Sequence, residues 1–250
     1  PLINKGAKYF TTNRRGAELI KYASNAFLAT KITFINEIAN LCEKIDINIE
    51  DISLGIGSDV RIGSRFLRAG PAYGGSCFPK DTKGLVSIGD KEKIDLSLVR
   101  SVIKSNENRK KLLLKRIHGI IGKNIRNKKI AFLGVTFKPN TDDMRDSSSL
   151  SMIPYLEKKG AKIRYYEPTG EKKEFYKLKN CKFYNQIHTA CKDVDLIILH
   201  TEWDEFKTLD FNKMVKNKKY KLYDLRNLYN HYEMMKNKIK YYSIGRPAFN

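Results

Sequence analysis

The strongest chemical signal in this chain is the stretch Gly74-Gly75-Ser76-Cys77-Phe78-Pro79-Lys80-Asp81. Two glycines let a backbone approach a ligand with no Cβ in the way. Pro79 suits a first helical position, where its missing N–H is not needed. Asp81 then falls in the first turn, where a carboxylate suits the positive end of the helix dipole. Cys77 is thereby placed at a helix N-terminus beside Lys80, and both features favour the thiolate, the nucleophilic form. A cysteine is more commonly a small buried hydrophobe, and Cys42, inside an apolar helical run, reads that way. Gly-Gly-Ser before Cys77 and Pro-Lys-Asp after it describe an exposed turn instead. A second pair, Lys21 and Asn25, is spaced i, i+4 and shares one helix face. A solvated stripe is the plain alternative for that pair. Asn25, set between Ala23 and Ala26-Phe27, is a poor choice for a surface helix and favours function.

The elements that must position these residues follow from periodicity. Leu19, Ile20, Ala23, Phe27, Ile32, Ile35, Ile38, Ala39 and Leu41 recur at helical spacing and predict one long helix over Arg15–Ile45. At 1.5 Å per residue it would be roughly 45 Å long. A turn and short helix follow over Asp46–Ile56. Gly55, Gly57, Gly63, Gly70, Gly74 and Gly75 then punctuate an irregular, loop-rich region. Pro79–Gly89 and Leu96–Ile121 read as further helices, the second ending in a basic cluster. From Lys129 the character changes. Lys129–Gly134, Lys162–Tyr166, Asp195–His200, Lys221–Leu225 and Lys240–Ser243 read as short strands, with helical stretches such as Ser148–Lys159 between them. Alternating strand and helix predicts an α/β fold: an all-helical central domain, then a doubly wound, mostly parallel sheet with helices on both faces. Such sheets bind nucleotides at the carboxyl ends of their strands. The segment from Gly134 to Asp143 leaves the first strand at that edge but contains no GxGxxG, so the dinucleotide fingerprint is missing there. The expected divisions are 1–13, left over from an earlier element; 14–125, the helical domain with the cysteine; and 126–250, the sheet domain.

Composition narrows the function classes. The chain has 250 residues, 41% hydrophobic and 30% charged, which reads as soluble and globular with room for one large or two ordinary domains. No apolar run approaches the ~20 residues of a membrane span. A net charge of +21 raises the question of a nucleic-acid or anionic-membrane partner. The lysines are scattered over predicted helix ends and turns, without a basic stripe or nucleic-acid motif. They read as solvated surface, so no nucleic acid and no membrane is expected as a partner. The four cysteines form no CxxC pair, which indicates neither a metal site nor a disulfide framework. A reducing, cytoplasmic setting fits best. The chain begins Pro1-Leu2-Ile3-Asn4, without an initiator methionine, as a fragment or processed chain would.

Six segments, in order, carry a resemblance. They are Ala17–Leu28, Arg61–Gly63, Tyr73–Asp81, Phe137–Ser149, Thr201–Phe206 and Tyr223–Arg226. Together they resemble the nucleotide-sugar 6-dehydrogenases of the UDP-glucose/GDP-mannose dehydrogenase family, over nearly the whole chain from Thr11 onward. Members of that family have an N-terminal NAD-binding Rossmann domain, a central helical dimerisation domain and a C-terminal domain that grips UDP. This sequence matches the last two. The resemblance implies NAD as cofactor, UDP-glucose as substrate and a homodimer built through the central helices. It casts Cys77 as the nucleophile, Lys21 and Asn25 as contacts to the reacting sugar, and Asp81 as an aid to water activation. Phe66, Leu67, Arg68, Ala69, Gly70 and Gly74 would wrap the substrate, with Arg61 reaching its phosphate across the dimer. Phe137 and Lys138 would contact uridine and diphosphate. Lys80 and Arg145 would touch NAD from outside its own domain. Arg226 would be a further substrate-side arginine, or else a surface partner of Asp224. The implied reaction is a double oxidation at C6 of the sugar through a cysteine thiohemiacetal and thioester. The alternatives are GDP-mannose or another nucleotide sugar as substrate, and a non-catalytic module that dimerises and binds UDP.

Overall fold

The computed structural model describes residues 9–215 and 219–247. Most of the segment 1–13 expected from an earlier element lies outside them. The first helix, α1 (Arg14–Cys42), opens at Asn13, whose side chain accepts the Gly16 N–H at 2.8 Å. It runs 29 residues and stops three short of the expected Ile45, where the chain turns and Asp46 takes a positive φ. Then come α2 (Ile49–Gly57), α3 (Cys77–Lys91) and α4 (Ser97–Ile121). Both α3 and α4 pack on α1.

The remaining chain alternates strand and helix: β1 (Lys129–Leu133), α5 (Ser149–Lys158), β2 (Lys162–Tyr166), β3 (Cys181–Phe183), α6 (Ile187–Cys191), β4 (Leu196–Leu199), α7 (Phe211–Met214), β5 (Lys221–Asp224), α8 (His231–Lys236) and β6 (Lys240–Ser243). The six strands lie in the order β3-β2-β1-β4-β5-β6, all parallel. The order reverses direction between β1 and β4, the switch point at which such folds bind ligands. The central strands β1 and β4 are buried on both faces, which is why they read as continuous apolar runs rather than alternating ones. Ile130, Phe132, Ile198 and Tyr223 face a core shared with Met152, Ile153 and Leu156 of α5. Ala131, Leu133, Ile197 and Leu199 face Cys191, Phe206, Phe211 and Met234 on the other side.

The first of these cores does not stop at the sheet. It takes in Ile35, Ala39 and Cys42 of α1, Ile49 of α2, Leu67 and Ala69 of the loop, and Leu113, Ile117 and Ile120 of α4. The chain passes from helical to alternating character between α4 and β1, yet the packing is continuous across that point.

Two expectations are corrected. β3 was not expected. Its three residues, Cys-Lys-Phe, include no buried side chain, so it carries no strand signature of its own. Helix α3 begins at Cys77 itself, with Ser76 as its cap, so Pro79 is the third helical residue rather than the first. Proline is accepted there because the first turn has no intrahelical acceptor for its N–H. Asp81 therefore lies beyond the first turn, and its environment owes nothing to the helix end.

Candidate active site

Cys77, first residue of α3, is the one exposed cysteine of the four; Cys42 and Cys191 are buried and Cys181 is half-buried. Its Sγ lies 3.7 Å from the Ser76 hydroxyl. Two cations lie within electrostatic reach of it, Lys80 one turn along and Arg145 from the loop after β1.

The next residue of α3 after Lys80, Asp81, is fully buried. The Asn25 amide on α1 donates to its Oδ2 at 2.5 Å, and the Lys80 ammonium sits 3.1 Å from Oδ1. Burial alone would raise this carboxyl. The Asn25 hydrogen bond and the ammonium groups of Lys80 and Lys21 outweigh it and hold it below the usual carboxylate range. The structure thus gathers Cys77, Lys80, Asp81, Asn25 and Lys21 where α1 and α3 meet. With no exposure of its own, Asp81 acts on neighbours through Asn25 and Lys80.

The glycine pair before Cys77 has a different use from the one expected. A Cβ on Gly74 would come within 2.5 Å of the Asp146 carbonyl oxygen, and one on Gly75 within 2.6 Å of the Phe137 ring. Gly75 also adopts φ +79 and donates its N–H to the Arg145 carbonyl at 2.7 Å. What the glycines admit is the loop that follows β1, so the cysteine turn and the loop of Phe137, Lys138 and Arg145 are pressed together. Lys138 is exposed, its Nζ 5.4 Å from the Phe137 ring centroid.

Arg226 joins these parts. Its guanidinium donates to the His200 carbonyl at 2.8 Å and the Phe137 carbonyl at 3.0 Å, and pairs with Glu202 at 2.8 Å. Its third nitrogen lies 3.6 Å from where a Cβ on Gly70 would stand. The surface pairing with Asp224 does not form: buried Asp224 takes the backbone N–H of Arg226 and leaves the side chain to the site. Burial pushes the Arg226 pKa down against the pull of Glu202 and Asp224.

The segment 66–70 reaches this place with mixed orientation. Leu67 and Ala69 turn their side chains into the core, so only their backbones can meet a ligand. Phe66, at φ +65, stacks edge-on against Phe78, and Arg68 is exposed within electrostatic reach of Arg226. Arg61 is not brought in. It is exposed in the turn after α2, with its guanidinium paired to Asp59.

Three helix residues missed in the sequence fix this loop. Asn36 accepts the Gly70 N–H at 2.8 Å, and Asn106 brackets Tyr73 through its N–H and carbonyl at 3.0 and 3.1 Å. The buried guanidinium of Arg109 donates twice to the Gly70 carbonyl, at 3.1 and 3.0 Å. Burial and the nearby Arg116 lower its pKa to about 10, so it stays charged at neutral pH. The signal was available: an asparagine in an apolar helical run is as unusual at Asn36 as at Asn25.

Comparison with known proteins agrees with this layout. Residues 15–108 match the family model for the UDP-glucose/GDP-mannose dehydrogenase family, central domain, and residues 131–231 match that for its UDP binding domain. The chain belongs to the UDP-glucose/GDP-mannose dehydrogenase family. It is 46% identical over 246 residues to a UDP-glucose 6-dehydrogenase of Rhizobium meliloti (strain 1021), covering 98% of this chain and 56% of that one. It is 44% identical over 248 residues to a UDP-glucose 6-dehydrogenase of Rickettsia prowazekii (strain Madrid E), covering 98% and 57%. Its fold superposes on a UDP-glucose dehydrogenase from the hyperthermophilic archaeon Pyrobaculum islandicum with a TM-score of 0.82 at 28% identity, over 96% of this chain and 52% of that one. The chain therefore spans about half the length of the curated relatives it matches. Among the described residues no helix is long and apolar enough to cross a membrane, and no group of His, Cys, Asp or Glu could hold a metal ion.

Proposed function

We propose that this chain carries the cysteine-bearing and nucleotide-sugar-binding parts of a NAD-dependent UDP-glucose 6-dehydrogenase. The observation that carries the reading is the contact of the Gly75 backbone with Phe137. It puts a loop suited to a nucleoside diphosphate directly beside the exposed thiol. Phe137 offers a stacking face, and Lys138 with Arg226 offers positive charge for the diphosphate. The sugar then extends toward Cys77, Lys21 and Asn25. Lys80 and Arg145, exposed beside Cys77, suit the anionic dinucleotide, two molecules of which, bound in turn, would accept one hydride each.

As hydride leaves C6, the hydroxyl proton passes into the network of Lys21, Asn25 and ordered water, and the alcohol becomes an aldehyde. The Cys77 thiolate adds to the aldehyde carbon, giving a thiohemiacetal whose oxygen Lys21 and Asn25 stabilise. Loss of the second hydride leaves a thioester. Water oriented by Asn25, itself held by Asp81, adds to that carbon. The C–S bond breaks and the water's two protons pass through the same network to solvent, releasing the carboxylate and restoring the thiolate. The long helices α1 and α4 join two such chains in a homodimer, across which the exposed Arg61 can serve the partner's site. A cytoplasmic location fits a soluble nucleotide-sugar substrate.

Thermal-shift titration of the chain tests the substrate. UDP-glucose and UDP should raise Tm, Lys138→Ala should reduce both effects, and Cys77→Ala should leave them in place. A larger rise with GDP-mannose than with UDP-glucose overturns the substrate assignment, and no rise with either overturns the nucleotide-sugar reading.

A further inference from the structure

The strand order of the sheet is that of the dinucleotide-binding folds. In those folds a pyrophosphate sits on the N–H groups of the turn after β1 and on the N-terminus of the next helix, and an acidic residue after β2 takes the ribose. All three places exist here, and the protein's own groups take the first two. The turn after β1 presents the N–H groups of Val135 and Thr136. Both point at one oxygen of Glu167, at 2.7 and 3.3 Å. Glu167 directly follows β2, so the acidic residue has left the ribose position for the phosphate position. At the start of α5 the hydroxyls of Ser147 and Ser149 both donate to the Val135 carbonyl, at 2.7 and 2.5 Å. A chain oxygen thus lies where a phosphate oxygen would meet the helix end.

Glu167 is buried, at 1% exposure, and its charge is provided for. Its other oxygen accepts the Thr169 hydroxyl at 3.1 Å, and that hydroxyl in turn accepts from the buried Lys172 ammonium at 2.7 Å. Carboxylate and ammonium are joined through one hydroxyl, which answers the cost of burying either alone. Gly134 completes the closure. At φ +74 it lies so close to Thr201 that a Cβ would come within 2.5 Å of the Thr201 Cβ, leaving no gap for a ligand between β1 and β4.

We propose that Glu167 is a built-in anion that seals the phosphate-receiving turn of this sheet, a specificity-determining residue that bars dinucleotides and nucleoside diphosphates from the crevice. The same hydrogen bonds tether the base of the loop that carries Phe137 and Lys138. A ligand with a diphosphate is left with the outer side of that loop, toward Cys77.

Two measurements test this. In the wild-type chain, amide exchange at Val135 and Thr136 should be slow without ligand and no faster in millimolar UDP, ADP or NAD. Faster exchange at those two amides on adding any of them overturns the proposal. In Glu167→Ala the freed N–H groups should take up a small carboxylate. Formate should then raise Tm in a saturable way and have no such effect on wild type, Glu167→Gln keeping its acceptor oxygen and behaving as wild type. Where Glu167→Ala folds poorly, recovery of the folded fraction in formate supports the seal, and failure to recover while Glu167→Gln folds normally counts against it. UDP affinity in Glu167→Ala should drop about tenfold and be restored by formate. A folded Glu167→Ala indifferent to formate overturns the idea. If UDP binds neither protein, the nucleotide-sugar reading fails, while amide protection and formate rescue still judge the seal.

Discussion

At the scale of single residues, two side chains make predictions of opposite kind, one from exposure and one from burial. Burial raises the Cys42 thiol and pushes those of Cys181 and Cys191 up to about 12, whereas Cys77 is exposed. Iodoacetamide at neutral pH should label Cys77 first by peptide mapping, and preferential labelling of any other cysteine in the folded chain would sink its role as nucleophile. His200 is the buried counterpart. The Thr201 hydroxyl spends its hydrogen on the Thr136 carbonyl, at 2.6 Å, so it accepts from His200 Nδ1–H at 3.1 Å. Nε2 is then the acceptor for the Ser148 hydroxyl at 2.7 Å. Burial first, and the Arg226 charge second, push this imidazole from 6.5 down to about 3. The folded state holds it neutral, while the unfolded chain protonates it below 6.5. Its stabilisation is therefore complete above that pH and falls away as pH drops from 6.5 toward about 3. At pH 5 the loss amounts to about 2 kcal/mol, at 1.36 kcal/mol per unit. Urea unfolding of wild type and His200→Asn at pH 7.5 and 5 should show wild type losing that much more than the variant. Equal losses would mean that His200 is not held neutral.

At the scale of elements, α1 is more apolar than one core requires. Ile20, Phe27, Phe34 and Leu41 recur every seven residues and are 49%, 67%, 50% and 52% exposed, while Ile35, Ala39 and Cys42 are buried. Large apolar side chains exposed at that regular spacing along one helix mark a contact surface. Sedimentation at micromolar concentration should give a dimer, and Phe27→Lys with Phe34→Lys a monomer of unchanged helicity; a wild-type monomer would remove the basis for the dimer. The same helix shows what is legible in a sequence and what is not. Its length follows from apolar spacing, β1 and β4 follow from apolar runs buried on both faces, and β2, β5 and β6 follow from short aliphatic and aromatic runs between turns. β3 escapes because three half-exposed residues paired only to β2 owe their strand to the neighbour. At the candidate site, Cys77 and Asn25 could be found because their types are unusual for their local context, and Asp81 through the resemblance alone, since a carboxylate near a helix start is ordinary. Glu167 and Arg109 could not, because glutamate and arginine are ordinary in any exposed segment and only the fold reveals their burial.

At the scale of the whole molecule, helices and sheet share one core, so the cysteine turn and the nucleotide loop are held against each other rather than hinged. On the proposed reading, binding of a nucleotide sugar and placement of its C6 near Cys77 both fall to these residues. Hydride transfer asks for more. The acceptor ring must be held face-on to C6, at about 3–3.5 Å. That placement commonly rests on a glycine-rich strand–helix turn that seats the cofactor's pyrophosphate. The turn after β1 has a single glycine, Gly134, and its N–H groups are taken by Glu167. Lys80 and Arg145 can touch a dinucleotide from one side but cannot orient its ring alone. The 250-residue chain, which spans about half of its curated relatives, should therefore bind UDP-glucose without reducing NAD. Mixing the purified chain with UDP-glucose and NAD should give no sustained rise in NADH absorbance. Sustained turnover that disappears in Cys77→Ala would place the hydride acceptor within these residues. The surface beside Lys80 and Arg145 would then have to seat the whole cofactor, since the sheet's own crevice is closed.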